Sequence, residues 1–268
     1  MKFKQFVRAF APIVGIALAA AVAGCDGATI KLNDEEGKKL SDLDLSGAPP
    51  EELVMAGPDE VQVTQGDKLA ITVNGDPDAA AKMRFTLKDG TLGILREGKL
   101  FDRDGGKVAV VHVTMPAPKG VVMAGSGKIV SATLARTAKV TVAGSGLVET
   151  TTLDGDSLEL NIAGSGSYRG SGKVTALDLT VAGSGAAALD ALRVDTAKVS
   201  IAGSGGVAFT SDGEVDATIM GSGEVKVKGR ARCKVSSMGS GRLVCETPVE
   251  NADPDDGDAT AEPSNTPG

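Results

Sequence analysis

The stretch Leu179-Thr180-Val181-Ala182-Gly183-Ser184-Gly185-Ala186-Ala187 decides the fold, because the chain returns to it at a nearly constant interval. Gly-Ser-Gly stands at Gly125–Gly127, Gly144–Gly146, Gly164–Gly166, Gly183–Gly185, Gly203–Gly205, Gly221–Gly223 and Gly239–Gly241, with steps of 19, 20, 19, 20, 18 and 18 between the first glycines. An eighth triplet, Gly170–Gly172, falls out of phase. A fixed period of this size marks a solenoid in which each repeat is one coil. The residues before each triplet say which kind. One column reads Val121, Val140, Leu160, Leu179, Val199, Ala217, Val235, and two residues on another reads Met123, Val142, Ile162, Val181, Ile201, Ile219, Ser237. Between them lie Val122, Thr141, Asn161, Thr180, Ser200, Thr218 and Ser236. Apolar and mostly polar positions alternate with a period of two, the signature of a strand with one buried face.

After each triplet a further inward column reads Ile129, Val148, Tyr168, Ala187, Val207, Val225, Leu243, which places a second strand beyond a sharp corner. A third short strand is expected through Leu134, Leu153, Val174, Val194, Val215 and Cys233. The fold class is therefore all-β: a parallel, right-handed β-helix of about 19-residue coils with an N-terminal β cap. Helical solenoids need a 3.6-residue period, and none is present. The corners need Gly for φ > 0 and for close approach of neighbouring coils. The serines between the glycines can satisfy backbone groups at the bend. Stacked at about 4.8 Å, Ser126, Ser145, Ser165, Ser184, Ser204, Ser222 and Ser240 form one structural ladder.

The remainder of the chain divides around this array. Residues 1–24 read as a signal peptide: a basic start with Lys2, Lys4 and Arg8, then an apolar run of 13 residues from Ala11 to Ala23, too short to span about 30 Å of hydrocarbon. The run ends in Val22-Ala23-Gly24-Cys25, which resembles a bacterial lipobox and makes Cys25 the lipidation site, and so the link to a membrane. Asp26 after it resembles an inner-membrane retention signal. The expected location is extracytoplasmic, anchored by lipid in the periplasm or at the outer membrane. Residues 25–44 are a tether, 45–120 the N-terminal β region, 121–246 the repeat array and 247–268 a disordered acidic tail.

Charge and composition exclude several classes. The 268 residues carry a net charge of −7, with 36 Gly, one His, one Tyr and no Trp. Residues 246–268 hold seven acids and no base, so the body from 25 to 245 is only −3. No basic patch suits a nucleic acid. A phosphate loop fails because no Gly-x-x-x-x-Gly-Lys-Ser/Thr occurs, and the turns lack the Asp that a calcium-binding repeat requires. His112, the only His, has no paired nucleophile or ligand spacing around it and reads as a strand residue. Asp102-Arg103-Asp104-Gly105 echoes a calcium loop but lacks the later ligands and reads as a hairpin turn. No catalytic residue, metal ligand or cofactor is expected. Cys233 and Cys245, twelve positions apart, either form a bridge stapling the end of the array or pack as two small apolar thiols.

Short strands are expected through Val61–Val63, Leu69–Val73, Met83–Leu87, Leu92–Ile94 and Val108–Val113, separated by Gly- and Asp-containing turns. The pattern Val61-Gln62-Val63-Thr64-Gln65-Gly66-Asp67, then Ile71-Thr72-Val73-Asn74-Gly75-Asp76, then Asp89-Gly90-Thr91-Leu92-Gly93-Ile94, followed by Gly-Ser-Gly coils, resembles the head GIN domain family. The resemblance spans about Leu45 to Val244. It implies a β-helical, often lipid-anchored, adhesin-like protein, and it carries over no catalytic residue. Three functions follow as expectations. The first is a non-catalytic envelope protein whose surface meets a glycan or another envelope protein. The second is a structural or regulatory periplasmic component. The third is a carbohydrate-active β-helix enzyme, disfavoured because the outward positions Lys128, Glu149, Arg169, Glu224, Lys226 and Arg242 form no cluster.

Overall fold

The structure, a computed structural model, describes residues 18–21, 29–32, 35–97 and 106–246. The expected leader other than 18–21, the lipobox with Cys25 and Asp26, the Asp102–Gly105 turn and the tail 247–268 lie outside the described residues. Three short strands, β1 (Leu18–Ala21), β2 (Thr29–Leu32) and β3 (Glu35–Glu36), make a small antiparallel sheet of their own.

The other strands join in one 16-stranded sheet, most of it a solenoid. Its regular part runs through β10 (Gly120–Gly125), β11 (Lys128–Thr133), β12 (Thr137–Gly144), β13 (Leu147–Gly164), β14 (Ser167–Gly183), β15 (Ala186–Gly203), β16 (Gly206–Gly221), β17 (Glu224–Lys228), β18 (Arg232–Gly239) and β19 (Arg242–Glu246). Each strand pairs in parallel with its counterpart one coil away, Gly125 opposite Gly144, Gly144 opposite Gly164, Gly164 opposite Gly183, and so on to Gly221 opposite Gly239. The inward columns read from the sequence are therefore real stacks, and they are buried from Val121 to Ile219. They hold the core shut because aliphatic side chains of one column meet at strand spacing. Where the column carries Tyr168, its neighbour in the next coil is Ala187, so a large side chain sits beside a small one.

The third column was misassigned in the sequence. The residues opposite one another are Ala138, Leu158, Leu177, Ala197, Val215 and Cys233, which begin the strand that leads into each glycine corner. Leu153 instead faces Gly172, which faces Leu192, while Val174 faces Val194. The cause is a shift of register in every long strand, between Thr150 and Leu153, between Arg169 and Gly172, and between Leu189 and Arg193. These breaks absorb the difference between 18- and 20-residue coils, so alternation is lost there. The out-of-phase triplet sits at one of them: a Cβ on Gly172 would lie 2.1 Å from the Leu153 carbonyl oxygen.

The N-terminal β region is partly solenoid. Strand β4 (Glu52–Gly57) stacks in parallel on β10, with Leu53 opposite Val121, Met55 opposite Met123 and Gly57 opposite Gly125. Strand β5 (Glu60–Gln65) stacks likewise on β11. The coil beneath is supplied by a later stretch of chain: β8 (Thr91–Arg96) pairs with β4, and β9 (Ala109–Met115) with β5. Two antiparallel strands then close this end, β7 (Met83–Lys88) on β8 and β6 (Ala70–Gly75) on β9. They are joined by the short helix α1 (Pro77–Ala81), whose first amides are capped by the Asp76 carboxylate. The free edge of β7 is met by Lys38, and Leu40, Leu43 and Leu45 pack against the end of the core. A solenoid that left this edge bare would present a row of unpaired amides and carbonyls.

Candidate functional surface

The glycine corners let neighbouring coils approach closely. At Gly185 a Cβ would lie 2.5 Å from Ile162 Cγ2 and 2.7 Å from the Gly166 oxygen, so the third glycine is required by the close approach of the coil below. The ladder bonds at the corner run through the main chain: the Ser145 amide donates to the Gly125 oxygen at 2.9 Å, the Ser184 amide to Gly164 at 3.0 Å, and the Ser222 amide to Gly203 at 2.9 Å. The expected role of the serine hydroxyls is thereby corrected. The corner carbonyls are already bonded by amides, and the hydroxyls of Ser145, Ser165, Ser184, Ser204, Ser222 and Ser240 are exposed, with Ser126 half-buried.

Three more outward columns run parallel to the serines. Thr141, Asn161, Thr180, Ser200, Thr218 and Ser236 form a polar column, and Ala143, Ala163, Ala182 and Ala202, continued by Met220 and Met238, form a small apolar one. Lys139, Glu159, Asp178, Lys198, Asp216 and Lys234 form a column of mixed sign. Towards the N-terminal end the same surface turns apolar and buried, with Val54, Ala56 and Leu95 packed beside Val122 and Ala124.

Charges tie coil to coil. Arg136 pairs with Asp156, Lys139 with Glu159, Lys228 with Asp190, Arg232 with Glu214 and Arg242 with Glu224. Hydrogen bonds from Arg136, Lys228 and Arg242 hold the carboxyls of Asp156, Asp190 and Glu224 below the usual carboxylate range. A glycosidase acid needs the opposite displacement, a carboxyl kept protonated near neutral pH. Among the described residues no group of three or more His, Cys, Asp or Glu could hold a metal ion. His112 points outward from β9, between Gln62 of β5 and Thr72 of β6.

One buried polar site escaped the sequence reading. Asp59 occupies the place of the third glycine in the corner of β4 and β5, and it is 1% exposed. Its carboxylate accepts bonds from Arg96 Nε at 2.8 Å and from the Ala109 amide at 2.8 Å, while Arg96 also donates to the Lys107 oxygen. Arg96 is 4% exposed, and its second terminal nitrogen has no partner. The pair plugs the corner where the coil below is interrupted between β8 and β9. The near-repeat of Val121-Val122-Met123-Ala124-Gly125 at Leu53-Val54-Met55-Ala56-Gly57 was the available signal for this coil. At the opposite end Cys233 and Cys245 are joined in a disulfide that links β18 to β19. Among the described residues no helix is long and apolar enough to cross a membrane.

This architecture defines a parallel β-solenoid with one capped end and small-residue outer columns. Residues 49–231 match the family described as putative auto-transporter adhesin, head GIN domain, and the chain belongs to that family. It is similar in fold to the crystal structure of a putative adhesin from Bacteroides fragilis, with 20% identity over 74% of this chain and 93% of that one and a TM-score of 0.65. A putative adhesin from Parabacteroides merdae gives 18% identity, coverage of 74% and 92%, and a TM-score of 0.58. A putative lipid binding protein from Parabacteroides distasonis gives 22% identity, coverage of 75% and 94%, and a TM-score of 0.57. No curated protein matches the chain.

Proposed function

We propose that this protein is a non-catalytic β-solenoid of the bacterial cell envelope, anchored to a membrane by lipid on Cys25, that presents its flat polar surface to a glycan or to another envelope protein. The observation that carries the reading is the outer surface itself. Hydroxyl and alanine columns at strand spacing offer a wide, rigid plane, and in the charged column beside it Lys139 is tied to Glu159 of the next coil. Rigid planes of this kind bind extended partners with little ordering cost on the protein side. Membership of an adhesin-described family and the Val22-Ala23-Gly24-Cys25 sequence support the same assignment.

Protease treatment of intact cells tests it. Loss of the protein from intact cells, together with its release from the membrane fraction by Cys25→Ser, is the expected result. Full protection in intact cells with cleavage only after lysis would overturn surface presentation and favour a structural or regulatory component inside the envelope. Turnover of a polysaccharide panel by the purified Cys25→Ser chain would overturn the non-catalytic reading.

A further inference from the structure

Strand β19 uses only half of its main-chain groups. The Arg242 amide donates to the Gly223 oxygen at 3.1 Å, and the Glu246 oxygen accepts from the Gly229 amide at 3.0 Å, so the polar groups of both residues point towards β17. These groups alternate in direction along a strand. Those of Leu243 and Cys245 therefore point the other way, to an edge that pairs with no strand among the described residues. The core is open at the same level: Val235, in an inward column, is 53% exposed, whereas Ala217 beneath it is buried. Such an edge is a template for another strand.

The side chains say which strand fits. Leu243 and Cys245 stand over buried Val225 and Val227 and so share the inward face, while Arg242, Val244 and Glu246 share the outward one. Read in reverse, Arg242-Leu243-Val244-Cys245-Glu246 complements itself. With a second copy laid antiparallel about Val244, Arg242 falls opposite the second copy's Glu246 and Leu243 opposite its Cys245. Leu243 and that Cys245 form the hydrogen-bonded pair, each amide donating to the other's carbonyl. Arg242 and Glu246 form the pair without main-chain bonds, where side chains come closest. The outward charges then alternate in sign across the junction: Glu224, Arg242, the second copy's Glu246 and its Lys228, which stands opposite Glu246. Arg242 keeps its 2.6 Å bond to Glu224, because a guanidinium has donors to spare for a second carboxylate.

We propose that the protein forms a two-fold symmetric dimer through β19, the final strand of each solenoid pairing antiparallel with the other's. The contact uses up the β19 edge of both copies, so assembly through it stops at two.

Sedimentation velocity of the purified Cys25→Ser chain over a range of concentrations, with hydrogen exchange, tests this. Expected is a monomer–dimer equilibrium in which the amides of Leu243 and Cys245 become at least fivefold more protected as dimer forms, with β13 to β15 unchanged. Glu246→Lys and Arg242→Glu each put like charges opposite one another at both ends of the strand pair, and each alone should weaken self-association about tenfold or more. Mixed together, the two variants are complementary again and should form a mixed dimer. Both side chains are exposed, and circular dichroism checks that the coils stay folded. A chain that stays monomeric overturns the proposal, and protection of those two amides in the monomer would assign the edge to another segment of the same chain. Dimers that both variants retain in full, or a mixture that associates no more tightly than either variant alone, overturn it in favour of contact through another surface.

Discussion

Replacing Gly203 by Ala puts a methyl group where the coil below leaves no room. Gly203 has φ of +129°, and a Cβ there would lie 2.2 Å from the Gly183 oxygen. A backbone region reserved for glycine costs a side-chain-bearing residue about 1–3 kcal/mol. The contact must also be relieved, and the bond it threatens first is the one from the Ser204 amide to Gly183, 2.9 Å long. Losing that bond adds about 0.5–1.5 kcal/mol, so the expected cost is about 2–4 kcal/mol. For a chain of this size each 1 kcal/mol lowers Tm by about 2–4 °C. The matched control is Ser204→Ala one residue on, where the hydroxyl is exposed and the amide bond survives. It should change stability by less than about 0.5 kcal/mol. Thermal melts followed by far-ultraviolet circular dichroism separate the two. Equal Tm values for Gly203→Ala and Ser204→Ala would refute the claim that this corner lies directly over the one before it.

Other outcomes follow from the same stacking. Val181→Asp buries an unpaired charge between Ile162 and Ile201 and should cost several kcal/mol, whereas Thr180→Asp on the outward column should cost under about 1 kcal/mol; equal melting of the two would invert the facing assignment. Arg96→Ala strands the Asp59 carboxylate in the N-terminal corner and should cost about 3–5 kcal/mol in denaturant unfolding; a wild-type midpoint would remove the pair from the account. Tyr168, the single tyrosine, is buried and its phenol is pushed up from 10.0 to about 12, with a bond to Thr150 opposing that rise. Its folded state holds the proton more tightly, so this contribution to stability is present below pH 10 and is lost as pH rises through about 12. Ultraviolet titration of the native protein should therefore show no phenolate near pH 10. Reducing the bond between Cys233 and Cys245 should release up to about 3 kcal/mol of constraint and speed hydrogen exchange in β18 and β19 only; an effect reaching β13 would contradict a terminal staple.

The parts of the fold legible in the sequence are those where every coil repeats one physical demand. The glycine corner and the two columns before it were read correctly because neighbouring coils press on the same positions, leaving Gly203 or Val181 little freedom to vary. The third column was misread because the register shifts near Leu153 and Gly172 let coil length change, which erases the alternation that a strand normally shows. The coil order at the N-terminal end was invisible for another reason: β8 slides beneath β4 although it follows it in the chain, and no local pattern records such a crossing. The buried pair of Asp59 and Arg96 hid for the same cause, since its members are 37 positions apart and each looks like an ordinary surface charge. The outward columns could be listed from the sequence, but the ties between their charges could not, because these depend on which coil meets which.

Electron-spin distances between labels on the serine ladder test the central claim most directly. With labels at Ser126 and Ser222, five coil steps apart, the backbone separation should be about 24 Å, and at Ser126 and Ser240, six steps apart, about 29 Å, at about 4.8 Å per step. Distances that grow by that increment with each repeat are the predicted result. Broad distributions, or separations that do not lengthen in order along the chain, would contradict the stacked solenoid.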